Sequence, residues 1–288
     1  MRKLVSLFLA SAILFLGNVS AADAKRDDSA AEKLGWRLSM ASYTVRKWPF
    51  MDAVDAIAGL GLKYMDVHPS VEFSKDNKTK TDHNISPELI EEMKKKLQAA
   101  GVKVVSYGTV NLGATEESVR KVFAYAKALG AENIVCEPKP EQIPMLDKLT
   151  QEYGVNIALH NHPKPSTYAE PEAVLKAVEG ASKKIGSCSD TGHWQRTGLG
   201  DPTECLKKLK GRIISLHFKD VVPAGKVWND VPWGTGQSNV KSMLTELKDQ
   251  GFRGVLSIEY EHGTGQALLD DCAKCIACFD KIAAELAK

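Results

Sequence analysis

Four short segments in the second half of the chain each close an apolar run with residue types that bind metal ions. They are Ile157-Ala158-Leu159-His160-Asn161-His162, Cys188-Ser189-Asp190-Thr191-Gly192-His193-Trp194, Ile214-Ser215-Leu216-His217-Phe218-Lys219-Asp220 and Leu256-Ser257-Ile258-Glu259-Tyr260-Glu261. From His160 to Asp190, His217 and Glu259 the steps are 30, 27 and 42 residues, about one strand plus one helix each. Consecutive parallel strands that deliver a ligand at the same end bring those ligands to one point. Side chains alternate along a strand, so Asp190 shares a face with Cys188, His217 with Lys219, and Glu259 with Ser257 and Glu261. His160, Asp190, His217 and Glu259 make a nitrogen-and-oxygen set that suits Zn, Mn or Co rather than the all-oxygen shells of Mg or Ca.

Any one of these residues alone would more often be structural; the four together carry the expectation of a divalent metal site. Glu137, closing Val135-Cys136-Glu137-Pro138, is a fifth candidate as ligand or catalytic base, weighed against a solvated loop carboxylate. Whether Glu137 or His160 completes the shell stays open. His162 and Glu259 are further candidates for proton transfer, and Lys219 for stabilising an oxyanion or holding substrate. His68, His193 and Trp194 are candidate substrate contacts. So is Trp233, which lies with Trp228, Asp230 and Gly234-Thr235-Gly236 in a long segment, 219–237, suited to stacking on a sugar or closing as a lid.

The elements that must position these residues alternate eight times. Strands are expected at 37–42, 62–67, 102–107, 133–137, 155–160, 184–190, 212–218 and 254–260. Helices are expected at 51–60, 87–100, 115–130, 141–153, 170–179, 202–209, 238–250 and 266–286. Ser86-Pro87-Glu88 is a helix start, and Gly101, Gly130 and Gly251 are helix stops. Eight such units in about 255 residues fit a closed (β/α)8 TIM barrel better than an open sheet. The segments after strands, 68–86, 161–169, 191–201 and 219–237, are longer than those after helices, which puts a built-up site on the face that carries the four motifs.

Residues 1–24 read as a secretory signal peptide, with Arg2-Lys3, an uncharged apolar run from Leu4 to Leu16 and small residues before a cleavage point. Residues 25–34 read as a flexible leader and 35–288 as one barrel domain. Export, to a periplasm or outside the cell, is the expected localisation. The chain carries 38 basic and 36 acidic residues, a net +2, so no strong field draws it to nucleic acid or an anionic membrane. No second apolar run approaches the length of a stable membrane span. Of the six cysteines, Cys272, Cys275 and Cys278 fall within the last helix, where neighbours three apart pack well but do not reach disulfide geometry. A homo-oligomer is left open.

The same residues carry a resemblance over nearly all of 35–288. The chain resembles the sugar phosphate isomerase/epimerase family, the xylose isomerase-like TIM barrels that also include inosose dehydratases and isomerases, ketose 3-epimerases and AP endonucleases. The likeness rests on Ser42-Tyr43-Thr44-Val45-Arg46, Leu60-Gly61-Leu62-Lys63-Tyr64-Met65-Asp66-Val67, Ser189-Asp190-Thr191-Gly192-His193, Ser215-Leu216-His217-Phe218-Lys219-Asp220, Val231-Pro232-Trp233-Gly234-Thr235-Gly236 and Ser257-Ile258-Glu259-Tyr260-Glu261. In the epimerase-like members a metal is held by Glu, Asp, His and Glu from four successive strands. The resemblance carries that set onto the position of His160, then Asp190, His217 and Glu259. This chain departs from it at His160, which stands where those epimerases have a glutamate that shares proton transfer with the last one. Glu137 or His162 is then needed to supply the missing base.

The implied activity is that of a sugar isomerase or epimerase-like enzyme: loss of an α-proton to an enediolate stabilised by the divalent metal, then return of the proton. Export implies an unphosphorylated sugar or a polyol-derived ketone as the small-molecule partner. The alternative is a lyase or hydrolase that cleaves oxidised (3-keto) glycosides by elimination. A non-catalytic carbohydrate-binding protein ranks below both. An AP endonuclease would need more histidines and a basic groove.

Overall fold

The computed structural model describes residues 26–288; the expected signal peptide lies outside the described residues. Eight parallel strands close a barrel: β1 (Trp36–Ala41), β2 (Tyr64–Val67), β3 (Lys103–Val110), β4 (Asn133–Cys136), β5 (Asn156–His160), β6 (Ile185–Asp190), β7 (Ile213–Phe218) and, after two short hairpin strands, β10 (Gly254–Ile258). Neighbours in sequence are neighbours in space, and β1 pairs β10 to close the ring. Between the strands run α2 (Phe50–Gly59), α3 (Pro87–Ala100), α4 (Glu116–Leu129), α5 (Ile143–Tyr153), α6 (Pro171–Ala177), α8 (Pro202–Lys208), α9 (Val240–Asp249) and, after the last strand, α10 (Gly265–Leu286). The architecture is the expected one, a single (β/α)8 TIM barrel.

The helix boundaries follow local chemistry. In α3 the Ser86 side chain accepts from the Leu89 N–H, Pro87 sits in the first turn, and Gly101 ends the helix at φ 69°, where a Cβ would be strained. Thr115 and Ser118 cap α4 reciprocally. Most of the core lies between the outer strand faces and the helices. Inside the barrel, Val135, Ala158 and Cys188 form a small apolar layer two residues beneath Glu137, His160 and Asp190, whereas His217 and Glu259 stand over Ser215 and Ser257.

Three segments depart from expectation. Within the leader 25–34, Ser29–Leu34 form helix α1, which buries Ala31 and packs on α10, while Arg26 reaches Asp280 at 2.5 Å. Thr191–Arg196, expected as loop, form a short helix α7 whose cap is the candidate ligand Asp190. The long segment 219–237 contains an antiparallel hairpin, β8 (Val221–Ala224) with β9 (Val227–Asp230). Its remainder is pinned by Asp220, whose carboxylate accepts from the N–H groups of Gly234, Gly236 and Ser238 at 2.8, 2.8 and 3.0 Å. A Cβ on Gly236 would lie 2.3 Å from Asp220 Oδ1, which is why glycine stands there.

Among the described residues no helix is long and apolar enough to cross a membrane. All six cysteines are free, and Cys272 and Cys275 are buried on the inner side of α10.

Candidate metal centre and substrate cleft

The ladder registers place the candidate ligands side by side. Asp190 is paired with His217 across β6 and β7, and His160 with Cys188 across β5 and β6. Glu259 follows β10, two residues beyond Ser257, which is paired with His217. One ligand atom from each of His160, Asp190, His217 and Glu259 lies within 4.8 Å of the other three, and all four residues are buried.

Each ligand is oriented by a neighbour. Asp190 Oδ1 accepts from the His193 N–H at 2.8 Å, which turns Oδ2 toward the cluster. Asn161 brackets the Asp190 backbone, donating to its carbonyl at 2.9 Å and accepting from its N–H at 2.7 Å. His217 Nδ1 lies 3.1 Å from Glu259 Oε2, and its Nε2 lies 3.8 Å from Asp66 Oδ2. Asp66, within β2, accepts from Ser39 Oγ at 2.8 Å; burial raises its pKa. Glu137 stands behind the histidines: its Oε1 lies 3.2 Å from His160 Nδ1 and contacts His162 Nδ1, while Oε2 accepts from Ser166 Oγ at 2.7 Å. Burial opposes its ionisation, but these hydrogen bonds outweigh burial and hold its carboxyl well below the usual range. Glu137 thus faces the two histidines rather than joining the four-atom cluster.

The residues fit a divalent ion. Nε2 of His160 and Nε2 of His217 are buried without a hydrogen-bond partner. Stranding such groups costs about 1–3 kcal/mol each unless something pairs with them. They converge, and the donors are two imidazoles and two carboxylates. Burial opposes charge on Asp190 and Glu259, yet the cationic neighbours outweigh it. Lys219 and His160 act on Asp190, His217 and Lys219 act on Glu259, and both carboxylates lie well below their ordinary range. His160 is pushed up to about 9, burial being outweighed by Asp190 and Glu137. Lys219, a candidate for the substrate side, has its ammonium inside the cluster instead, 2.8 Å from Asp190 Oδ2 and 2.8 Å from Glu259 Oε2.

Around the cluster sit the remaining candidates. His193 is buried, and burial pushes its pKa down to about 2, so its ring is neutral. Arg196, which can only donate, reaches His193 Nδ1 at 3.2 Å, so the ring proton resides on Nε2, 3.5 Å from Asp190 Oδ2. His160, His162 and His193 form a second group within metal-ligating range, with His162 half exposed at its open edge. His68 stacks on Tyr43 at 4.5 Å, accepts from the Ser70 N–H, and is pushed down to about 4 by burial. A cleft of about 740 Å³ opens beside Glu137 and His162, lined also by Asn111, Leu112, Lys139 and Gln142.

Two expected substrate contacts are corrected. The Trp233 ring packs on Phe218 at 4.7 Å. Phe218 alternates with His217 and so points out of the barrel, which leaves Trp233 in the core beneath α10. Trp194 is 1% exposed and packed in the same core, one residue and about 100° of helix away from His193. Four residues were missed. Asp66, one residue before the end of β2, and Asn161, one residue after the end of β5, were legible by the same logic. Arg196 and Asp230, which lie 3.3 Å apart over the mouth, depend on α7 and the hairpin and had no local signal.

Comparison with known proteins agrees with this architecture. The family described as xylose isomerase-like TIM barrel matches residues 54–277, and the chain belongs to it. A solved structure of an uncharacterized protein from Parabacteroides distasonis is 30% identical, with a TM-score of 0.70 over 86% of this chain and 99% of that one. A D-tagatose 3-epimerase-like protein superposes at a TM-score of 0.68 with 20% identity, over 86% of this chain and 98% of that one, a likeness of fold. An inosose isomerase of Bacillus licheniformis is 26% identical over 181 residues, 60% of each chain. The curated relatives are matched over 39 to 60% of their own length.

Proposed function

We propose that the protein is a divalent-metal-dependent sugar isomerase or epimerase-like enzyme acting on an unphosphorylated sugar or polyol-derived ketone. The observation that carries this reading is the convergence of His160, Asp190, His217 and Glu259 on one buried point, with Nε2 of both histidines left without a hydrogen-bond partner. The likeness to an inosose isomerase supports the substrate class. Zn, Mn or Co fits the mixed donor set. Bound there, such an ion would supply Lewis acidity toward a carbonyl and its neighbouring hydroxyl.

The chain's own residues divide the remaining work. Glu259 is a ligand and one face's proton acceptor. The Glu137–His162 pair replaces the glutamate that His160 displaces: Glu137 holds Nδ1 of His162 and leaves Nε2 free at the edge of the cleft to take or return a proton. His193, neutral and with its proton on Nε2, donates to a substrate hydroxyl. Residues 1–24, read as a signal, favour an exported enzyme and therefore a substrate without phosphate.

A second reading, elimination from an oxidised (3-keto) glycoside, is favoured by the cleft beside Glu137 and His162. At about 740 Å³ it has room for a leaving group beyond a single sugar ring. NMR in deuterated water with free ketoses and 3-keto glycosides separates the two. Deuterium at an α-carbon of a rearranged sugar supports the isomerase, and release of an aglycone supports the lyase. Full turnover after exhaustive chelation contradicts both.

A further inference from the structure

Lys219 is an unusual residue to find inside a set of metal ligands. Its side chain is fully buried, and its ammonium touches the two carboxylate oxygens, Asp190 Oδ2 and Glu259 Oε2, that the ligand set supplies. The position is built. Thr191 Oγ1 accepts from the Lys219 N–H at 2.8 Å and donates to its carbonyl at 2.9 Å, which fixes the backbone. Gly192 clears a slot for the stem: a Cβ there would lie 3.0 Å from both Cβ and Cδ of Lys219. One route out is also present. Glu261 Oε1 lies 3.5 Å from the same ammonium, toward the more exposed rim, and Arg196 holds the other Glu261 oxygen at 3.1 Å.

We propose that Lys219 is a built-in competitor for the divalent ion: its ammonium occupies the oxygens of Asp190 and Glu259, and metal binding displaces it toward Glu261 at the mouth of the site. The inference rests on reading the four residues as metal ligands. The physical ground is that one pair of buried oxygens cannot satisfy an ammonium at hydrogen-bonding distance and a divalent ion at about 2 Å without bringing the two cations together. Its consequence is that loading the metal and presenting the lysine to substrate are one event. A lysine tied between two carboxylates has at most one N–H left for a developing oxyanion, whereas one moved beside Glu261 frees a second.

The test is zinc titration calorimetry on the full-length wild type and on Lys219→Met, a near-isosteric change that removes only the charge. The expected result is a dissociation constant lower by roughly tenfold or more in the variant, because the competing cation is gone. An unchanged or weaker affinity overturns the proposal. Should Lys219→Met fail to fold, the wild type carries the test. Lysine side-chain NMR during zinc addition should show one Nζ resonance, absent in Lys219→Arg, shift while the others stay. No such shift at zinc saturation overturns the proposal. Failure of every folded protein to bind zinc is a different result, and it overturns the metal-ligand reading itself.

Discussion

Glu137 Oε1 lies 3.2 Å from Nδ1 of His160, on the side of the ring away from Asp190. A carboxylate in that position fixes the tautomer and aims Nε2 into the cluster. Glu137→Gln keeps the shape and loses the charge. We expect it to weaken metal affinity or turnover by about 10- to 100-fold, the range found for such outer partners. Glu137→Ala should be worse, because it also frees His162. Metal titration alongside kcat measurement checks this, and an unaltered Glu137→Gln protein would remove Glu137 from the account.

Glu259 is both a candidate ligand and a candidate base, whereas Asp190 and His217 are ligands only. Glu259→Gln should abolish measurable turnover. His217→Ala and Asp190→Ala should lose turnover together with bound metal. Metal analysis of the three purified variants, beside an activity assay, distinguishes the two patterns.

Trp233 has a packing role. Trp233→Ala should destabilise the fold by about 3–5 kcal/mol in urea denaturation, as large-to-small changes in a core do. Trp233→Phe should leave KM within about twofold, since the ring is covered by Phe218 and α10 rather than facing the cleft. A large rise in KM with stability intact would return Trp233 to the substrate site.

Asp230 gives a pH signature. Burial raises its pKa to about 6 despite Lys219 and Arg196. The folded pKa is above the unfolded one, so the protonated carboxyl's contribution to stability is full below about pH 4 and lost as pH rises through about 6. The Tm of the wild type minus that of Asp230→Asn should therefore fall between pH 4 and 7. A difference that grows with pH would mean that the pairing with Arg196 dominates over burial.

The barrel was legible because several strands, such as Ile213–Phe218 and Gly254–Ile258, are apolar runs of the right length, and its helices carry caps such as Ser86 and stops such as Gly101. The ligand set was legible for the same reason: a polar residue ending an apolar strand in a parallel barrel has one place to go. What sequence did not reveal lies in short elements stabilised by distant contacts. Helix α1 depends on Arg26 meeting Asp280, 254 residues away. The hairpin β8–β9 reads as loop because its four-residue strands lack a clean alternation. The two tryptophans look like sugar contacts from spacing alone. Only the outward turn of Phe218 and the six residues of α7 put them in the core. The position of Lys219 between two carboxylates is a tertiary fact, since alternation shows only that it shares a face with His217.

Metal stoichiometry of the purified protein after equilibration with Zn, Mn or Co and removal of free ion tests the central claim most directly. One tightly held ion per chain is expected in the wild type, and its loss in Asp190→Ala and His217→Ala. A wild type that retains no ion, or variants that retain as much as the wild type, would contradict it.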